Sequence, residues 1–270
     1  MKKLLLICFV VTISLQIASA QDSSETKGEM QEQRNALRKE RQNETKSNVK
    51  TLGVSAADVG EPDSFGKNAQ FLGIATSGIV IIDPTCNPAD IGPLGPDDRC
   101  VSPDASGNVP LQTFNDIGRI NLPGKSVSNI IYAIANHTAV FSIFNPNATT
   151  QVGRVSYVPS VTIVSDALND PSLIDPTTGL PFNGSFTTTG IGSLTTSKSM
   201  AGFGNEFQAN SYTRANTVGF SRTFFAALGL SNQVIDQLYK KPITIKLNIR
   251  VSSRFVDSGT FAYSIRFLGN

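Results

Sequence analysis

From Ile243 onward the chain alternates strictly. Ile243, Ile245, Leu247, Ile249 and Val251 are apolar; Thr244, Lys246, Asn248, Arg250 and Ser252 between them are polar. Successive strand side chains point to opposite faces, so this run predicts a strand with one face in a core and Lys246 and Arg250 toward solvent. A second strand-like run, Thr260 to Leu268, follows it. Asp257-Ser258-Gly259 between the two predicts a hairpin. The stretch Val127 to Asp166 reads as three successive strands, with turns at Asn136-His137-Thr138 and Asn145-Pro146-Asn147. Pro159 cannot donate a ladder hydrogen bond and marks a bulge, a kink or an edge. Further strands are expected around Ser77-Gly78 within Ala69 to Ile82, at Phe114 to Asn121, in Ser185 to Thr196 and at Glu206 to Arg214.

The period changes once. Phe220 to Leu228 and Ser231 to Tyr239 carry apolar residues at helical spacing, with Val234, Ile235 and Leu238 on one face. Ser231 suits an N-cap, Gly229 a helix C-terminus, and Pro242 closes the second helix. The pattern as a whole predicts an all-β fold, an antiparallel β-sandwich of jelly-roll-like form, with a short two-helix insertion near the C-terminus packed across one end.

Two loops interrupt the strands. Asp83 to Pro110 holds six of the 14 prolines together with Cys86 and Cys100; Asp166 to Gly184 is rich in Asp-Pro and Thr-Gly turn signals. Ahead of the strands, residues 21–58 are charged and poor in large apolar residues. Met30 and Leu37 are too sparse for a coiled-coil seam, so a flexible arm is expected, with at most a fraying helix around Glu29 to Gln42. The first 20 residues carry Lys2 and Lys3, an apolar run, and Ala18-Ser19-Ala20 before Gln21, the layout of a cleaved signal peptide. The organisation read from the chain is therefore signal peptide 1–20, arm 21–58 and one sandwich domain 59–270.

Export changes the reading of the cysteines. Cys8 leaves with the signal peptide, and Cys86 and Cys100 are expected to pair. Removing Lys2 and Lys3 takes the formal charge of +2 to zero, so no basic excess points to nucleic acid. No apolar run in the mature chain is long enough for a membrane-spanning helix.

Candidate chemistry is sparse. His137 is the one histidine and stands in a predicted turn, so triads and histidine metal sites have little to build on. Asp90, Asp97 and Asp98 are candidate Ca²⁺ ligands by type. They lack the spacing of an EF-hand loop, and Asp beside Pro more often caps turns. Glu206 is the one glutamate worth testing as half of a glycosidase carboxylate pair. The expected function is that of an exported, non-enzymatic structural or adhesive protein of the periplasm or cell surface, which self-associates or meets an extracellular partner. The alternative is a secreted carbohydrate- or ligand-binding sandwich, with or without Ca²⁺, using both long loops at one end. A carboxylate-based glycoside hydrolase is third.

Overall fold

The computed structural model describes residues 28–39 and 70–270. The expected signal peptide and the expected start of the domain near residue 59 lie outside the described residues. Among the described residues twelve strands form two sheets, a sandwich-like all-β fold. In the first sheet β10 (Asn205–Ser221), β6 (Ile130–Phe144) and β12 (Val256–Gly269) run side by side. Two short strands, β1 (Gln70–Thr76) and β2 (Val80–Ile82), lie end to end along the free edge of β12, and β3 (Arg99–Val101) pairs with β2. In the second sheet β11 (Ile243–Arg254) and β7 (Gln151–Val164) form the centre. β4 (Asn108–Phe114) and β5 (Arg119–Leu122) share the outer edge of β11; β8 (Ser185–Thr187) and β9 (Leu194–Met200) share that of β7. All pairings are antiparallel except β2 with β3, which is parallel.

The alternation of β11 is borne out: Ile243, Ile245, Leu247, Ile249 and Val251 are buried in the core between the sheets. Two strand expectations are corrected. Val127 to Asp166 holds two long strands rather than three, and they belong to different sheets; Asn136, His137 and Thr138 lie in the middle of β6. The Asn145-Pro146-Asn147 turn between the two strands is present. β11 and β12 likewise do not form a hairpin. Phe255, with φ 58°, turns the chain from one sheet to the other. That is the left-handed region, which a phenylalanine adopts only under tertiary constraint. Asp257 to Gly259 are part of β12, beside an irregularity between Val256 and Ser258.

Two tyrosines tie the sheets together through hydroxyls. Tyr263 on β12 donates to the Ser160 carbonyl (2.7 Å), while the Asn248 N–H donates to it (3.0 Å). Tyr157 on β7 donates to the Ala262 carbonyl (3.0 Å). Both rings are buried. Tyr263→Phe keeps the packing but leaves a buried N–H and a carbonyl short of partners. It is expected to cost about 2 kcal/mol, seen as a melting temperature lower by about 4–8 °C in a domain of this size. A shift below about 1 °C would mean that water replaces the hydroxyl.

The helical insertion is as predicted. One helix spans Arg222–Ala227 behind the Ser221 cap, and the other Asn232–Lys240 behind Ser231. Phe225, Ile235, Leu238 and Tyr239 are buried in the main core. Gly229, with φ 83°, joins the two helices.

The arm differs from expectation over residues 28–39, which form a helix, α1, docked on the outer face of the first sheet. Met30 and Arg34 are buried and Leu37 packs on a small cluster of Ile79, Ile81, Ile91 and Ala262. Arg34 donates through Nε to Thr260 Oγ1 (2.9 Å) and through Nη2 to Ser258 Oγ (3.3 Å); Arg38 donates to the Ile91 carbonyl (3.2 Å). The seam is therefore Met30, Arg34, Leu37 and Arg38, at i, i+4, i+7 and i+8. An arginine stem supplies apolar cover where a search for large apolar residues finds a gap.

Candidate functional site

The strand registers sort the connections to two ends. At one end β6 stops at Phe144 and β10 starts at Asn205, which pair; β7 starts at Gln151, opposite Met200 at the end of β9. The β11–β12 corner at Phe255 and the end of the Asp83 to Pro110 loop, where Asn108 pairs with Arg254, join them there. At the other end lie residues 123–129, the 165–184 loop and the two helices. The two long loops thus occupy opposite ends, which corrects the expectation that they act together at one.

Both ends expose apolar side chains, Ile174 and Leu180 on the 165–184 loop and Phe144, Val152 and Phe203 at the first end. A groove of about 360 Å³ lies between the proline-rich loop (Pro84, Pro103, Asp104), the β6–β7 turn (Phe144, Pro146, Asn147) and the corner (Phe255, Val256, Asp257). Phe144 is 38 % exposed, Val152 at the start of β7 is 48 % exposed, and Phe203 in the β9–β10 turn is 65 % exposed. Phe203 has φ 56°. A side chain with a Cβ in that region carries a strain of about 1–2 kcal/mol.

Asn145 makes this end rigid. It is fully buried, and its Nδ2 faces the carbonyls of Thr149 (2.9 Å), Ala201 (2.8 Å) and Met200 (3.3 Å) while Oδ1 accepts from the Asn147 N–H (3.0 Å). Its own N–H donates to the Gly204 carbonyl, and the Phe203 N–H donates to Asn147 (both 3.0 Å). One amide side chain therefore locks the β6–β7 turn to the β9–β10 turn and fixes where Phe144 and Phe203 stand. From the other side, the disulfide between Cys86 and Cys100 pins the proline-rich loop to β3, as the sequence predicts. Asp104 closes that loop with an Asx turn, accepting from the Ser106 (2.8 Å) and Asn108 (2.9 Å) N–H groups.

No family model and no curated protein matches this chain. Among solved structures, a structure of the infectious bursal disease virus Gx strain aligns at 12 % identity over 73 % of this chain and 53 % of that one, with a TM-score of 0.14. The T13 IBDV viral particle aligns at 10 % identity over 60 % and 39 %, with a TM-score of 0.11. The chain thus spans about half the length of the first structure it matches. Likeness at this level carries no argument about fold or function.

The residues singled out in the sequence are scattered. Among the Ca²⁺ candidates, Asp98 is buried and committed. Its Oδ1 accepts from the Ile79 N–H (2.9 Å) and its Oδ2 from the Gly95 N–H (2.8 Å), with Arg38 Nε at 4.0 Å. Asp90 is exposed on the short helix Pro88–Ile91, and the backbone of Asp97 packs on Gly78. Among the described residues no three His, Cys, Asp or Glu side chains are placed to hold a metal ion. Glu206 is paired with Lys198 Nζ (2.9 Å) and accepts from Gln208 (2.9 Å), and the Gln208 hydrogen bond followed by Lys198 holds its carboxyl below the usual range. A glycosidase general acid needs the opposite shift. Lysine and glutamate here join β9 to β10, clasping the two sheets at their edge. His137 is neither in a turn nor at the surface: it is fully buried.

Sequence reasoning missed Asn145 and Phe203. An Asn-Pro-Asn turn gives no sign that its first side chain will be buried. The glycines flanking Phe203 advertise a turn, not the direction in which its ring will point.

Proposed function

We propose that this is an exported, non-catalytic β-sandwich of jelly-roll topology that works by structural or adhesive contact through the end bearing Phe144 and Phe203. The topological part rests on strand order. Counting β1/β2, β4/β5 and β8/β9 as single positions, and setting aside the short parallel strand β3 at the sheet edge, gives eight, in sheets ordered 6-3-8-1 and 2-7-4-5. That order supports a reading as two interleaved Greek keys. Export and a periplasmic, cell-surface or extracellular location rest on the N-terminal sequence, and the Cys86–Cys100 bridge is compatible with them. No helix among the described residues is long and apolar enough to cross a membrane.

The observation that carries the contact reading is a rigid, exposed apolar tip. Solvent-facing aromatics held by a buried hydrogen-bond network, one of them in a strained backbone conformation, are what a preorganised interaction surface looks like. Phe203→Asn tests it, because asparagine tolerates left-handed φ. The variant is expected to melt no lower than the parent, and the combined Phe144→Ser, Phe203→Asn chain is expected to lose self-association. The readout is light scattering of Gln21 to Asn270 across concentration, with and without Ca²⁺. A parent that stays a compact monomer throughout would sink the assembling form of this reading. It would then favour the ligand-binding module, for which a groove of about 360 Å³ is already of small-molecule size.

A further inference from the structure

His137 lies in the middle of β6, paired with Tyr212 of β10 on one side and Tyr263 of β12 on the other. Its ring stacks on both, with centroids at 4.6 Å and 5.8 Å, and Tyr157 of β7 meets it edge-on at 6.2 Å. It has no exposed surface, and neither Nδ1 nor Nε2 has a hydrogen-bond partner. A buried imidazole normally satisfies at least one nitrogen, so this one is held at a cost.

The segment between β8 and β9 closes over it. Gly192 has φ 78°, and a Cβ there would stand 2.6 Å from His137 Nε2, so the backbone of the segment rests on the imidazole. The Tyr212 hydroxyl donates to the Gly192 carbonyl. Behind the glycine, the Ile191 N–H donates to the Pro159 carbonyl (2.7 Å) and the Thr188 N–H to that of Val161 (2.9 Å).

We propose that His137 is the trigger of an acid-sensitive latch: uncharged, it allows residues 188–193 to close across the sandwich edge, and once protonated it forces that segment off and uncovers Tyr212. The groups facing it explain why protonation must open the site. β7 brings Tyr157, β12 brings Tyr263, β10 brings Tyr212 and Arg214, and residues 188–193 bring no titratable group. None is an anion, and Arg214 has the same sign as the imidazolium. Burial first and Arg214 second lower the imidazole pKa to about 4. The sign follows. An opened imidazole titrates near 6.5 and the closed one near 4, so the open form binds more protons between those values. The latch is fully closed above about pH 6.5, and its closing constant falls by up to about tenfold per unit between about 6.5 and 4 and levels off below 4.

One histidine and no tryptophan make the test clean. The C2–H proton NMR signal of the chain from Gln21 is followed from pH 7.5 to 3.5, with hydrogen exchange of peptides covering 186–196 and 208–214 and of β11 as a reference. The signal is expected to stay put until the pH approaches 4–5. Protection of 186–196 should then collapse while β11 stays protected. His137→Phe, which keeps the ring stack, should abolish that collapse. Gly192→Ala should open the segment already at pH 7. A free titration near 6.5, loss of β11 together with the segment, or the same acid opening in His137→Phe would each overturn the proposal.

Discussion

Asn145→Ala is expected to remove about 3 kcal/mol of stability, on the order of one to two unpaired buried groups after water recovers the rest. The side chain is fully buried and serves three carbonyls and one N–H from two separate turns. Alanine fills none of those roles and leaves a void too polar to be comfortable dry. In a chain of this size the loss corresponds to a melting temperature lower by about 6–12 °C. The effect on the tip should be sharper than that on the core. Phe203 and Phe144 lose their common anchor, so hydrogen exchange in 145–150 and 200–205 should rise by more than in β11. Asn145→Asp is the informative companion. It keeps the acceptor for the Asn147 N–H but sets a carboxylate against the Thr149, Met200 and Ala201 carbonyls. It is therefore expected to be at least as damaging as alanine. Equal melting temperatures for parent and Asn145→Ala would remove the basis for a preorganised tip.

Removing the disulfide should be comparably costly. Cys86 and Cys100 are 14 positions apart, and the chain-entropy model gives a loop of that length about 3 kcal/mol. The bridge has a second consequence that loop entropy omits. Cys100 also packs against the Ile79, Ile81, Ile91 and Ala262 cluster on which α1 sits. The helix Pro88–Ile91 of the bridged loop supplies both Ile91 to that cluster and the carbonyl that accepts from Arg38. Cys86→Ser with Cys100→Ser is thus expected to lower the melting temperature by about 6–12 °C and to expose α1. Limited trypsin digestion should then cut at Arg34 and Arg38, both held against the fold in the oxidised chain. Unchanged cleavage after reduction would mean that α1 is held without the loop.

Legibility followed the range of the interactions involved. β11 was readable because its alternation is local and one face is fully buried. The two helices were readable because Gly229, Ser231 and Pro242 punctuate them, and the cysteines because Cys86 and Cys100 have one pairing once Cys8 is assigned to a signal peptide. His137 was misplaced because Asn-His-Thr has turn composition. Yet Ala133, Ala135, His137, Ala139 and Phe141 keep an unbroken two-residue period on the inward face of β6. Alanine is too weak a hydrophobic marker to show it. The docked α1 was missed for a related reason: its buried face is an arginine between a methionine and a leucine, which reads as charge.

Which residues could be inward and which stretches could be strand or helix was determined by the sequence alone, because backbone propensity and side-chain period act between near neighbours. Pairing partners were not. That β6 and β7 part into different sheets, that Phe255 turns the chain between them, that the two long loops stand at opposite ends, and that three tyrosines close on His137 were decided by the tertiary structure. Each depends on hydrogen bonds and ring contacts between residues far apart in the chain, and these exist only once both sheets have formed.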